Sequence, residues 1–230
     1  MAQGLPHPHF NSSRLVRVLS DLAVKDAPGS KQSFGERLGQ WLDFNDALSL
    51  FAALNGAAAQ VPEPAPGKPS TGSEAARKAL ARVRAALVDL IGGAGVPAPE
   101  EGKADFEPYH RYCLARQRDM GANIGPLRAS VRAALGRRSA ALGRLAAVDA
   151  VMEQALAARE RELLAKVPAL LATRFDALRE AHLAGTQPDG WLAAFCREMQ
   201  TVLLAELDLR LQPVEALIAA LDQELTGGNA

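Results

Sequence analysis

The residues best equipped for chemistry stand close together: Tyr109, His110, Arg111, Tyr112, Cys113, Arg116, Arg118 and Asp119 fall within one short stretch. His110 and Cys113 are three apart, which on a helix places them on one face, near enough for an imidazole to stabilise a thiolate. Nucleophilic catalysis also needs an orienting group and an oxyanion site, and the sequence displays neither. A half-buried cysteine beside a surface histidine is the plainer expectation. Elsewhere, His7 and His9 form a His-x-His pair that lacks a third ligand nearby. The letters Gly67-Lys68-Pro69-Ser70 imitate the end of a phosphate loop, but the proline and the missing strand remove its geometry. No catalytic residue, cofactor or metal site follows, and the expectation is a protein that is not an enzyme.

A second chemistry is cationic. From Glu107 to Ala147 the arginines 111, 116, 118, 128, 132, 137, 138 and 144 are opposed only by Glu107 and Asp119. After Gly185 the sign reverses, with Asp189, Glu198, Glu206, Asp208, Glu215, Asp222 and Glu224 against Arg197 and Arg210. The chain as a whole is neutral, with a pI near 6.9. Such asymmetry either ties two segments of the chain together or marks faces for different partners. The candidate interaction surface is therefore Arg111, Arg116, Arg118, Arg128, Arg132, Arg137, Arg138 and Arg144, with Tyr109 and Tyr112 as stacking residues if the partner is a nucleic acid.

The elements that carry these residues are helices. Aromatics are 5% of the chain, β-branched residues are sparse, and Ala, Leu, Arg and Glu dominate. The fold class expected is all-α: an elongated bundle of long antiparallel helices with a small N-terminal helical unit. Residues 1–10 read as a flexible arm. Residues 11–56 read as the N-terminal unit: a helix capped by Ser12 or Ser13, a second opened by the Ser33/Glu36 capping box, and a third restarted at Asn45 or Asp46 and stopped at Asn55-Gly56. Trp41 and Phe51 are expected in its core. Its two last helices resemble a DNA-reading helix-turn-helix only in outline, since the second offers Asp46, Ala47, Ser49 and Asn55 and no base.

Residues 57–72, with four prolines, form a linker. Residues 73–92 form a helix with Leu80, Val83, Leu87, Leu90 and Ile91 inward and Arg77, Lys78, Arg82 and Arg84 outward, and 93–104 a loop. Residues 105–226 make the long-helix bundle, and 227–230 a tail. Within the bundle, Gly121, Gly125 and Pro126 suggest a bend or break. Ala133-Ala-Leu-Gly-Arg137 recurs as Ala140-Ala-Leu-Gly-Arg144, a seven-residue spacing that gives a short coiled-coil-like register and lets another helix approach at the glycines. A kink is expected at Pro168, a turn at 185–189, and a last helix antiparallel to the long one, its acids lying against the arginines of 111–144.

Two stretches carry a resemblance. Ser33-Phe-Gly-Glu-Arg-Leu-Gly-Gln-Trp-Leu-Asp43 is one, and His110-Arg-Tyr112, Gln117-Arg-Asp-Met120, Ile124-Gly-Pro-Leu-Arg128 and Leu145-Ala-Ala-Val-Asp149 make up the other. They resemble an uncharacterised bacterial family known as a domain of unknown function, over nearly the whole length except the linkers. The resemblance implies association with operons encoding MotA/ExbB-like channel and OmpA/MotB-like peptidoglycan-binding proteins, similar to Zorya anti-phage systems. It supplies no catalytic residue. The N-terminus lacks a signal-peptide pattern and no stretch is apolar enough to span a bilayer, so a cytoplasmic protein is expected. Cys113 and Cys196 fit that compartment as free thiols. The expected function is that of a non-enzymatic interaction component docking on a protein partner, such as the cytoplasmic part of a membrane motor-like complex. The alternative is a nucleic-acid binder using the arginine-rich 111–144 stretch. A homo-oligomer is compatible with either.

Overall fold

A computed structural model describes residues 13–22, 34–55, 70–93, 95–97, 105–186 and 190–227. Among these there is no strand, and the chain is all-α: α1 (Arg14–Asp21), α2 (Phe34–Trp41), α3 (Phe44–Asn55), α4 (Ser70–Gly92), α5 (Glu107–Gly136), α6 (Ala140–Leu164), α7 (Val167–Leu183) and α8 (Trp191–Gly227). The arm with His7 and His9, the Ser33 cap and most of the proline-rich linker lie outside the described residues.

Helix α8 is the axis. Its 37 residues extend for about 55 Å, and Trp191, Phe195, Met199, Leu203, Leu207 and Leu211 are each no more than 2% exposed. The spacing of four between these side chains, passing to a four-three alternation through Leu211, Val214, Ile218 and Leu221, generates one apolar stripe, and Pro213 sits within the helix without ending it. Around the stripe gather α1, α4, α5 and α7. The pairings Tyr109 with Phe195 and Gln117 with Glu206 advance together along the sequence, so α5 runs parallel to α8. Arg77 with Asp222 and Gln200 with Ile91 run in opposite senses, so α4 is antiparallel to α8.

The partners of the last helix are thus more numerous than expected. It is antiparallel to α7, the end of the long stretch from Ser139 onward on which it was expected to fold, and it is antiparallel to α4 as well, while α5 runs parallel to it. The turn before it has a definite local cause: Gly185 takes φ 69°, its N–H donates to the His182 carbonyl, and the Thr186 N–H donates to the Ala181 carbonyl. That pair of bonds is a Schellman cap, for which glycine carries no Cβ penalty.

Helix α5 passes through Gly121, Gly125 and Pro126 without interruption. The break falls instead at Arg137–Ser139, where the Ser139 hydroxyl accepts from the Leu142 N–H at 3.2 Å and opens α6. The two copies of the Ala-Ala-Leu-Gly-Arg sequence therefore lie on different helices of a hairpin. A Cβ added at Gly143 would stand 3.8 Å from the Gly136 Cα, so the glycines admit close approach across the turn, not a coiled-coil register along one helix.

Helices α6 and α7 together run antiparallel to α5, as the pairs Arg132 with Asp149, Arg128 with Glu153, Gln117 with Leu164 and Tyr109 with Phe175 show. Between them Ala165 and Lys166 keep αR angles, so the path kinks at Pro168 without reversing. Pro168 has no N–H for the Leu164 carbonyl four residues earlier. The Gln117 side chain supplies that bond at 3.0 Å.

The N-terminal helices do not form one unit. Ser13 caps α1 through the Val16 N–H, and α1 lies on α8, with Arg14 paired to Asp208. Helices α2 and α3 lie on α6 instead. Helix α3 starts at Phe44, one residue before the earliest expected start, because Asp43 and Asp46 cap one another's backbone N–H groups at 2.8 and 3.2 Å. No residue of α3 is buried, and Phe51, expected in a core, is 64% exposed. Trp41 is half-buried, with the Arg159 guanidinium 5.7 Å from its ring centroid.

Candidate interaction site

Helix α5, the turn after it and the start of α6 distribute the ten candidate residues among four different environments. Tyr109 and Tyr112 are 3% and 6% exposed and do not serve as surface stacking platforms. Tyr109 lies edge-on to Phe195 at 5.4 Å and tilted to Phe175 at 5.8 Å, inside a ring cluster completed by Phe106 and Trp191. The Tyr112 hydroxyl donates to the Ile91 carbonyl at 2.7 Å and to the Leu90 carbonyl at 3.1 Å.

Arg116 joins it. Its Nη1 donates to the Leu90 carbonyl at 2.7 Å, its Nη2 lies 3.1 Å from Asp119, and its guanidinium sits 5.0 Å from the Tyr112 ring centroid. Together with Gln200, which donates to the Ile91 carbonyl, these side chains satisfy the orphan carbonyls at the end of α4. Tyr112 and Arg116 are committed to a helix terminus.

Arg128 and Arg132 form the second environment. Arg128 donates to Asp149 in a two-pronged contact at 2.6 and 2.9 Å, and Arg132 reaches Asp149 at 2.9 Å and Glu153 at 2.6 Å. Burial pushes the Asp149 carboxyl up, but hydrogen bonds from Arg128 and Arg132 outweigh it and hold the group below its ordinary value. These four side chains lock α5 to α6. The expectation that α8 neutralises the arginines of 111–144 is overturned. The acids of α8 pair elsewhere: Asp222 with Arg77, Glu215 with Arg84, Asp208 with Arg14, Glu198 with Arg174 at 2.7 Å and Glu206 with Arg210 at 2.8 Å. Arg77 and Arg84, expected outward, keep 60% and 39% of their side chains exposed and reach those acids because α4 packs along α8.

Arg111 and Arg118 are exposed and make only local contacts, with Glu107 at 3.5 Å and the Leu114 carbonyl at 3.3 Å. Arg137, Arg138 and Arg144 are different. They sit at the tip of the α5–α6 hairpin and make no ion pair or side-chain hydrogen bond among the described residues. No acid occurs in the sequence from 120 to 148 to oppose them. A surface of net positive charge remains there.

The His110/Cys113 pair is dispersed. Cys113 is 0% exposed and its thiol is pushed up to about 12, by burial first and by the nearby Glu206 carboxylate second. That is the opposite of thiolate activation. The side chain of His110 is 41% exposed and lies beside Glu107 and Phe106. Burial also pushes the Cys196 thiol up, against an opposing hydrogen bond with Tyr109. Among the described residues no three His, Cys, Asp or Glu side chains gather as a metal-holding group. A shallow groove of about 350 Å³ between α1 and α8 is bordered by Asp21, Arg197 and Glu198, the last already held by Arg174.

A surface that the sequence did not single out lies on α3. Phe44 is 82% exposed, Leu48 57%, Phe51 64% and Leu54 57%. The available signal was composition: eight of the twelve residues of α3 are Phe, Leu or Ala, more than one packed face requires.

The architecture and these surfaces define an all-α protein whose chemistry is ion pairing, helix capping and apolar packing. No described helix is long and apolar enough to cross a membrane. A model of the family described as "Protein of unknown function (DUF3348)" matches residues 1–223, and the chain belongs to that family. No curated protein and no solved structure matches the chain.

Proposed function

We propose that this chain is a non-enzymatic, cytoplasmic interaction component that docks on an acidic surface of a protein partner through the tip of the α5–α6 hairpin. One observation carries the proposal. Five of the eight arginines on this stretch are engaged by α4, α6 or their own helix, leaving Arg137, Arg138 and Arg144 at the hairpin tip without an ion pair or side-chain hydrogen bond among the described residues. The Arg128/Arg132/Asp149/Glu153 lock beneath them holds the tip in place, which limits the ordering cost of binding. The partner we propose is the cytoplasmic part of an ion-driven, motor-like membrane complex, with anti-phage defence as the process. Support for that identity is the resemblance of the 33–43 and 110–149 stretches.

The test is recovery of the tagged full-length chain from its native cells. Wild type is expected to carry one stoichiometric partner, which Arg137→Glu/Arg138→Glu/Arg144→Glu loses while its helicity is retained. Recovery of wild type alone overturns the proposal.

The same three arginines favour a second reading, nucleic-acid binding, which the burial of Tyr109 and Tyr112 weakens by removing stacking. A mobility-shift titration at low salt decides it. A steep salt dependence abolished in the triple variant supports nucleic acid, and a flat titration eliminates it.

A further inference from the structure

Helices α1 and α4 both lie antiparallel on α8, and they are held there very differently. For α1 the direction follows from its two ends: Arg14 pairs with Asp208, while Val18 and Leu22 border a groove with Ala194, Arg197, Glu198 and Thr201. It has eight residues and buries Leu15 alone, with Val18, Leu19 and Leu22 partly covered. A helix that short does not persist in water without support. Helix α4 has 23 residues, buries Ala76, Leu87 and Ile91, and pairs Arg77 and Arg84 with Asp222 and Glu215.

The polar part of the seat on α8 is complete without α1. Beside the C-terminal half of α1 runs the groove of about 350 Å³. The Glu198 carboxylate there is held by Arg174 in a two-pronged contact at 2.7 and 2.8 Å, and the Thr201 hydroxyl donates to the Arg197 carbonyl at 2.8 Å. At the other end Asp208 is shared. Arg84 of α4 stands 3.9 Å from it, so the carboxylate keeps a cation when Arg14 leaves. What ties α1 down is therefore one buried leucine, a partly covered apolar edge and one half-exposed ion pair. Pairs of that kind contribute little and are screened by salt.

We infer that α1 is a strap, which leaves α8 and returns to it as one unit while α4 to α8 stay folded, with ionic strength setting the balance through the Arg14–Asp208 pair. The open form presents the apolar side of α1 and the part of α8 beneath it, both covered in the closed form. The hairpin tip takes no part in this motion.

Amide hydrogen exchange of the full chain, followed residue by residue, tests the inference. The amides of residues 17–22 are bonded within α1 or to its cap. They are expected to share one opening constant, at least ~100-fold larger than that of the buried part of α8, and to open ~2–5-fold more at high potassium chloride concentration. Asp208→Asn should raise the opening constant by a similar ~2–5-fold and remove its salt dependence. Leu15→Ala should raise it at least ~10-fold while the denaturation midpoint of the remaining helices stays in place. Because Leu15 touches the core, Arg14→Gln, which alters only the ion pair, is run alongside and should act in the same direction as Asp208→Asn. The inference is overturned by α1 amides that exchange only together with α8, by rates graded inward from the ends of α1, by an opening constant indifferent to salt, or by a Leu15→Ala loss shared by the whole chain.

Discussion

The set α4, α5, α7 and α8 and the set α2, α3 and α6 are built from similar residues but organised differently. In the first, Phe175, Phe195 and Trp191 are at most 2% exposed, and Phe175 meets the other two edge-on at 5.1 and 5.3 Å. In the second, α6 buries only Leu142, Ala146 and Leu164 over 25 residues, and α3 buries none. The first set is a core, and its apolar side chains are committed to holding the fold. The second set buries little of its apolar surface and leaves Phe44, Leu48, Phe51 and Leu54 exposed. Polar groups follow the same division. Glu206 is 0% exposed and is satisfied by Gln117 and Arg210, whereas exposed Arg137 and Arg144 and half-buried Arg138 make no ion pair among the described residues.

The comparison can be broken by measuring stability. Phe175→Ala removes the ring that touches Phe106, Tyr109, Trp191 and Phe195, and chemical denaturation should show a loss of about 3–5 kcal/mol. A loss below about 1 kcal/mol would mean that the ring cluster is not the core.

Gln117→Leu leaves the Leu164 carbonyl without its donor at the Pro168 kink and takes a bond from buried Glu206. The expected cost is about 1–3 kcal/mol, with faster amide exchange in α7 as the local readout. An unchanged exchange rate there would show that the kink holds without Gln117.

Asp149→Asn weakens the α5–α6 lock by about 1–2 kcal/mol at neutral pH. Its folded-state carboxyl lies below the ordinary 3.8, so the stabilisation is complete above about pH 4 and fades as pH falls through the lower folded value. The gap between wild type and Asp149→Asn should therefore close in acid, and a gap that widens there would reverse the assignment.

The smallest effect belongs to α3. Phe51→Ser should alter the stability of the monomer by no more than about 0.5 kcal/mol, and a core-sized loss would erase the distinction between the two sets.

Much of this was legible locally. The Ser13 cap, the stop at Gly92, the kink at Pro168, the turn at Gly185 and the stripe of α8 all depend on residues within about four positions of one another, which is the range of helical hydrogen bonds and caps. The failures share a cause. Gly121, Gly125 and Pro126 look like a break, yet α5 continues through them because Ile124, Leu127 and Val131 are buried on its packed face, and packing overrides propensity. The Ala-Ala-Leu-Gly-Arg repeat looks like one register, but Ser139 caps a new helix between its copies.

By itself, then, the sequence determined an all-α chain, its helix-forming segments and the sites of its kink and final turn, because periodicity and capping act over a turn or two. Only the tertiary structure decided which charges meet. Arg128 and Arg132 found Asp149 and Glu153, the acids of α8 found α1, α4 and α7, and Tyr109 and Tyr112 went inside. Such pairings join residues from 17 to 194 positions apart, and no local rule selects among so many partners. What was left over, three arginines on a hairpin tip and four apolar side chains on α3, is defined by that selection.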